Sequence, residues 1–488
     1  MYRRPSKKRE LTMRIISYCA MVLSVITIVS VITFLLLGYR LDTDNGRIEQ
    51  GALLQFETIP SGATVTVDGK ELGSKTSTKS SVLAGTHTMV VQKEGYDTWQ
   101  KTLDVKAGTL TWFDYIRLVP TKRAVESVAK YESLFASKAT ADGNTMIVQQ
   151  LPTVPSFQIV DMRSDTIKST TIVLPKTVYS DPDTAGVTHS FSIVQWDTGG
   201  RYVLVQHTYA DKKEWLVMDT KDVSSTKNIT KLLDVDISKI VFSGTSGNIL
   251  YALTAGDIRK LDLSAGTISR SLVTKVSSFE LFTTNVITYV GTDTNDATKS
   301  VVGLYRDGDD TPHILRSTLT ANAPLHITTT HYFNQDYVAI SQGKDITILS
   351  GSYPSNSDDS SSLKRLKSFV VDADVVAVSF SPNGDYLLAK SGDRYASYDI
   401  EHDRTISYNI STKPGVTSGL INWLDDDHTW SDYDETLMIR EFDGTNEVSV
   451  NRLVANQGVT ISQNDKYFYS FGNASTGYQL QRVRMLLP

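Results

Sequence analysis

Apolar and polar positions change rhythm twice along this chain. Residues 15–37 have no rhythm at all, since 23 positions pass without a charge and are rich in Val, Ile and Leu. As a helix this stretch is about 35 Å long, enough to cross a hydrocarbon core with modest tilt. A buried soluble helix of that length would show a polar face, and only scattered Ser and Thr interrupt this one. Between residues 51 and 120 short runs alternate with a period of two. They cover 64–67, 87–93, 98–105 and 109–118, and are punctuated by Asp68-Gly69, Gly95 and Lys106-Ala-Gly108. This pattern predicts strands and tight turns in a small all-β module.

From residue 121 to the end, alternation is joined by repetition. The clearest copy is Val378-Ser-Phe-Ser-Pro382-Asn-Gly384-Asp-Tyr-Leu-Leu388, a strand, a turn and a second strand, with a third ending at Tyr398-Asp399. Weaker copies centre on Ala139, Trp196, Phe242, Phe282, Phe333, Trp423 and Ile461. Together with Phe380 these anchors are separated by 57, 46, 40, 51, 47, 43 and 38 residues. Asp161, Asp219, Asp262 and Asp399 each follow their anchor by 19 to 23 residues. Such spacing with short strands is what a four-stranded propeller blade needs. One blade cannot bury both faces, so neighbours must stack around a channel, and the aromatic anchors are expected in the core between blades. The last copy has material for three strands, and residues 122–128 are expected to supply the fourth and close the ring. Eight anchors predict eight blades, or seven if the Phe282 or Trp196 copy is not an independent blade.

Pro60-Ser61-Gly62-Ala63, Val67-Asp68-Gly69, Ala84-Gly85-Thr86-His87 and Gly95-Tyr96 together resemble the PEGA domain, a small β-sandwich of surface and secreted prokaryotic proteins. Ser61 stands where that family has an acidic residue, at a turn position that leaves the fold intact. The resemblance implies a spacer or binding module near the membrane or wall, not an enzyme. The repeat region resembles the WD-repeat-like and TolB-like propellers of bacterial envelope proteins, most specifically around Phe380. The expected fold class is therefore all-β behind one N-terminal transmembrane helix. The expected layout is a basic tail (1–14), the helix (15–37), a spacer (38–50), a PEGA-like β-sandwich (51–120) and a β-propeller (121–488).

Charge orients this layout. Arg3, Arg4, Lys7, Lys8, Arg9 and Arg14 precede the apolar run against a single acid, Glu10. The positive-inside bias predicts an uncleaved single-pass anchor with its N-terminus in the cytoplasm and the bulk of the chain outside. A signal peptide would have a shorter apolar core and a small-residue cleavage site, which Leu37-Gly38-Tyr39-Arg40 does not offer. Beyond the tail the chain carries a net charge of −10, which argues against a nucleic-acid partner. The single cysteine, Cys19, lies in the apolar run, so no disulfide, thiolate nucleophile or cysteine-held metal is expected outside.

Chemical motifs are scarce. There is no Gly-rich phosphate loop, no His-Glu-x-x-His and no Gly-x-Ser-x-Gly, and the eight histidines show no metal-ligand spacing. No catalytic residue, cofactor or metal is therefore expected. Asp42-Thr-Asp44-Asn-Gly46 has the look of a calcium loop, but its spacing fails. The densest acidic cluster is Asp425, Asp426 and Asp427, followed by Asp432, Asp434 and Glu435. It is expected to be a solvated turn between the first two strands of its blade, or else a contact site for a cation or cationic partner. Neutralising the three aspartates is expected to leave folding intact. Asp307-Gly-Asp-Asp310 and residues 356–362 are expected to be loops. Three functions fit. The first is a non-enzymatic, membrane-anchored protein presenting a propeller to an envelope protein, a wall polysaccharide or another cell. The second is a propeller glycosidase or lyase acting on a surface polysaccharide, and the third is a scaffold subunit of an envelope complex.

Overall fold

The computed structural model describes residues 7–36, 38–42, 47–181, 186–320, 323–353, 362–392, 394–409 and 421–487. Most of the calcium-like stretch and nearly all of the loop at 356–362 lie outside them. The chain forms two compact units, Met1–Lys122 with Leu486–Pro488, and Arg123–Met485.

The first unit opens with helix α1, Lys7–Leu36. Its segment Leu11–Phe34 is long and apolar enough to cross a membrane, and none of it is buried against protein. The expected polar spacer contains a short hairpin, Tyr39–Asp42 paired with Arg47–Gln50. A β-sandwich follows. One sheet holds Lys70–Glu71, Thr64–Val67, Gly85–Gln92 and Trp99–Val105, and the other holds Thr78–Val82, Ala52–Ile59 and Leu110–Arg117. Ala52–Ile59 and Thr78–Val82 were not among the strands expected from the sequence. Ala52–Ile59 alternates cleanly but pairs in parallel with Leu110–Arg117, a long-range pairing with no turn signal to announce it. Between the sheets Phe56 and Phe113 stack at 5.1 Å and Trp99 meets Phe113 edge-on at 5.9 Å.

Among the described residues the second unit contains eight four-stranded antiparallel sheets, and these are the blades of a propeller. Seven are simple meanders. Their first strands are Ala136–Ala139, His189–Trp196, Lys239–Phe242, Val276–Leu281, Leu325–Tyr332, Val375–Phe380 and Asn422–Trp423, which define blades 1 to 7. Blade 8 runs Thr460–Ile461, Tyr467–Asn473, Tyr478–Arg484 and takes its outer strand, Val125–Tyr131, from the start of the unit. That strand begins three residues later than expected. Arg482 fastens it with Nε and Nη2 donating to the Glu126 carboxylate at 2.8 and 3.0 Å.

Blades 1 to 7 bury apolar faces on one another in sequence, and blade 8 does the same with blade 1. Phe191 and Val205 of blade 2 pack on Ile147 and Phe157 of blade 1, for example. Tyr469, Phe471 and Leu480 of blade 8 pack on Met146 and Val148 of blade 1, which closes the ring. Every anchor sits at the end of its blade's first strand or just beyond it. Trp196, Phe242 and Phe380 are buried as expected. Phe333 is 85% exposed, because it and Asn334 both have positive φ in a two-residue turn, and Tyr332 takes the packing position instead.

Candidate functional site

Meandering blades put the first-to-second and third-to-fourth turns on one rim of the propeller and the remaining connections on the other. Asp425, Asp426 and Asp427 lie on the first rim, in the turn between Asn422–Trp423 and His428–Tyr433 of blade 7. They do not act as a unit. Asp425 Oδ1 accepts from the backbone N–H of Asp427 at 2.9 Å and of His428 at 2.7 Å, and from His428 Nδ1 at 2.9 Å. It therefore organises its own turn. Asp426 carries a carboxyl pushed up, first by desolvation and then by the charge of Asp425, while the backbone N–H of Asn383 on blade 6 opposes the shift. Of the three, Asp426 is the exposed one, and Asp425 and Asp427 are half-buried.

The same rim repeats one turn chemistry. In blades 1, 6 and 8 the hydroxyls of Thr140, Ser381 and Ser462 donate to Asp142, Asn383 and Asn464 at 2.6, 2.8 and 2.8 Å. Each hydroxyl also accepts the backbone N–H five residues on, at 3.0 to 3.1 Å. The aspartates that close the third strands serve the next turn. Asp219 Oδ1, for instance, accepts from the N–H of Lys221 at 2.9 Å and Asp262 Oδ1 from that of Ser264 at 2.8 Å. Most of the acidity on this rim is thus engaged in holding loops. Asp307 and Asp309 lie in a loop, as expected, and are engaged there, accepting from Lys260 Nζ and Tyr353 Oη at 2.5 and 3.0 Å.

A cavity of about 650 Å³ opens where the inner strands of blades 7, 8 and 1 converge. Trp423 and Trp430 line it with Asp432, Lys138, Asn456 and Gln457. Trp423 Nε1 donates to Ser379 Oγ at 3.1 Å, which fixes that indole against blade 6. Ser137 Oγ donates to Gln457 Oε1 at 2.9 Å and accepts from Gly458 N at 2.7 Å, tying blade 8 to blade 1 along the wall. Burial pushes the Asp432 carboxyl up, against a hydrogen bond from the Glu435 backbone N–H, and Glu435 and Asp434 add to the rise. Asp432 Oδ1 is buried without a hydrogen-bond partner among the described residues. Lys138 is exposed to the cavity yet surrounded by protein, and desolvation draws its ammonium down. Cavity lining depends on which inner strands converge, and periodicity carries no such information.

A second polar system lies buried in blade 2. The register sets Phe191, His207 and Glu214 side by side across three strands. His207 is fully buried, and its Nδ1 meets Glu214 Oε2 at 3.1 Å. Ser180 donates to Glu214 through its hydroxyl and, at 2.9 Å, through its backbone N–H. His189 Nδ1 lies 2.9 Å from His207 Nε2. Burial draws the His207 ring down, and the contact with Glu214 does not offset it. Glu214 stays low despite its burial because Ser180 and His207 stabilise the carboxylate. The alternation Val203, Val205, His207 on the buried face was a legible signal for the histidine, whereas its partners were not. Among the described residues no group of three or more His, Cys, Asp or Glu could hold a metal.

Residues 52–121 match the PEGA domain. The PEGA module is thus the sandwich of the first unit. A comparison with curated proteins gives no match. Among solved structures, the β-propeller domain of Myceliophteria thermophila Cps50 (Swd1) is 12% identical, with a TM-score of 0.40, covering 65% of this chain and 99% of that one. The oligogalacturonate lyase of Vibrio parahaemolyticus is 8% identical, with a TM-score of 0.40, covering 75% and 98%. Hsv2 of Kluyveromyces lactis is 12% identical, with a TM-score of 0.38, covering 72% and 99%. At these identities the likeness is one of fold alone.

Proposed function

We propose that this chain is a single-pass membrane protein whose PEGA module and propeller stand outside the cell, and that the propeller binds a component of the envelope. The apolar span of α1 behind a basic tail supports the anchor and its orientation. The PEGA match is in keeping with an extracytoplasmic setting. The observation that carries the binding role is the cavity between blades 7, 8 and 1, which is lined by two tryptophans, the Asp432 carboxyl that burial holds up, and a lysine. Trp430 offers a flat apolar face for the C–H surface of a sugar ring. Asp432, Asn456 and Lys138 offer hydrogen bonds to hydroxyl or amide groups. A wall or surface polysaccharide suits that combination.

The expected outcome with full-length protein in nanodiscs is saturable binding of solubilised wall polysaccharide. W430A should weaken it at least about tenfold, as loss of an aromatic anchor at a binding hot spot does. Unchanged affinity in W430A would remove the cavity from the binding role. Lys138 supports a second, enzymatic reading, because a lysine with a lowered pKa more readily gives the neutral amine, which can take up the proton removed in polysaccharide elimination. Hydrolysis by paired carboxylates is favoured less, since Asp432 is the one carboxylate among the described residues that line the cavity. Turnover of the bound polymer, abolished in K138M, would select the enzyme over the binding protein.

A further inference from the structure

On the outer face of the PEGA module's three-stranded sheet, two neighbouring strands change character along their length, while the third sets Ser81 beside Leu53 and Lys79 beside Gln55. Ala52–Ile59 and Leu110–Arg117 run parallel with Leu53 beside Leu110 and Gln55 beside Trp112, so both strands start at the same end of the sheet. Ala52, Leu54 and Phe56 point into the core, as do Thr111 and Phe113. The outward positions then read Leu53, Gln55, Glu57 on one strand and Leu110, Trp112, Asp114 on the other. Leu110 is 56% exposed and Trp112 46%. One exposed leucine needs no explanation. A progression from apolar through indole and amide to carboxylate, repeated on two neighbouring strands over roughly 14 Å, follows the polarity profile of a membrane–water interface.

The apolar end is also the end tied to α1. Gly51 N donates to Gly38 O at 2.9 Å, two residues beyond the helix, and Gly108 N donates to Gly51 O at 2.9 Å. Leu53 N in turn donates to Thr109 O at 2.9 Å. These bonds bring the loop before Leu110, with its exposed Lys106, to the point where the chain leaves the helix. Phe34 of α1 and Tyr39 of the hairpin pack edge to face at 5.1 Å in the same neighbourhood.

We propose that this end of the PEGA module is seated in the lipid interface from which α1 emerges. Leu110 enters the outermost acyl region, Trp112 lies at headgroup level, Lys106 meets the lipid phosphates, and Glu57 and Asp114 remain in water. The module is then a foot held on the leaflet, not a body swinging on residues 38–50. This inference rests on α1 spanning the membrane.

The test uses the full chain in nanodiscs whose lipids carry bromine near the top of the acyl chains. Wild-type fluorescence should be quenched, and W112F should lose that lipid-dependent quenching. Trp99, the module's other tryptophan, is buried in its core. L110D keeps the reporter and, being a surface change, the fold, and it too should lose quenching. In parallel, a water-soluble maleimide should fail to label Cys19 until detergent is added. Cys19 shielded with no Trp112-dependent quenching overturns the docking and leaves the anchor standing. Shielding of Trp112 that depends on protein concentration, as a second copy would give, overturns the docking in the same way. Cys19 labelled in intact nanodiscs overturns the anchor, and the docking with it.

Discussion

At the scale of single residues, the acidic cluster of blade 7 separates into different jobs. Asp425 is an acceptor for two backbone N–H groups and for His428, which is buried. Asp426 is exposed. D425A should therefore cost about 1 kcal/mol through loss of a turn-organising acceptor, and D425N less, because an amide oxygen still accepts. D426N should change stability by less than about 0.5 kcal/mol, as surface substitutions do. Equilibrium denaturation of the three variants checks this. An equal effect at both positions would mean that the turn is held by something other than Asp425. In the sequence the three aspartates read together, as a solvated turn between two strands whose neutralisation leaves folding intact. Hydrogen-bond geometry distinguishes them, since sequence shows that a residue can accept a bond but not whether a donor points at it.

At the scale of the element, the outer strand of blade 8 matters most. Val125–Tyr131 pairs with Tyr478–Arg484, so the ring is closed by chain segments from opposite ends of the unit. Tyr131 and Leu480 join the apolar layer between blades 8 and 1. Deleting residues 125–131 would leave Tyr478–Arg484 as an unpaired edge beside exposed apolar surface, a template for association. The deletion variant should aggregate on size-exclusion chromatography. L480A, which keeps the strand, should stay monodisperse but lose about 2–5 kcal/mol on denaturation. The sequence already indicated this closure, because the last repeat was one strand short. It could not set the register, which depends on which faces pack.

At the scale of the whole molecule, one histidine in each unit should answer pH in the opposite direction to the other. In the PEGA module burial opposes a charged His87. Its hydrogen bonds to Asp68, at 2.6 Å, and to the Leu83 carbonyl, at 2.8 Å, outweigh this and raise its pKa. That contribution is fully present below the unfolded value near about 6.5 and is lost as pH rises through the folded one. In blade 2 burial lowers His207, so its contribution is present above about 6.5 and is lost as pH falls toward the folded value. Glu214, also held low, extends the loss at more acid pH. Between about pH 8 and pH 5.5, scanning calorimetry should show His87 moving the sandwich transition up and His207 moving the propeller transition down, against His402, which its bond to Asp399 holds up and which works the other way. Relative to wild type, H87Q should therefore lose stability toward acid pH in the sandwich, and H207Q should gain it in the propeller. Wild-type pH trends in both variants would contradict the assignment.

What the sequence by itself determined was whatever local pattern encodes. An uncharged apolar run of this length reads as a helix long and apolar enough to cross a membrane, because a helix satisfies its own backbone groups within one segment. A repeated unit of short alternating strands reads as blades because one blade cannot bury itself. Turn residues fall where the backbone needs positive φ or a side-chain acceptor. The tertiary structure decided which distant residues meet. It set the parallel partner of Ala52–Ile59, and with it the polarity gradient that ends at Leu110 and Trp112. It also set His207 beside Glu214, and Trp430, Asp432 and Lys138 around one cavity. The reason is physical: periodicity along a strand says which face is buried, but the partner across that face is chosen by packing, register and ring closure over the whole chain.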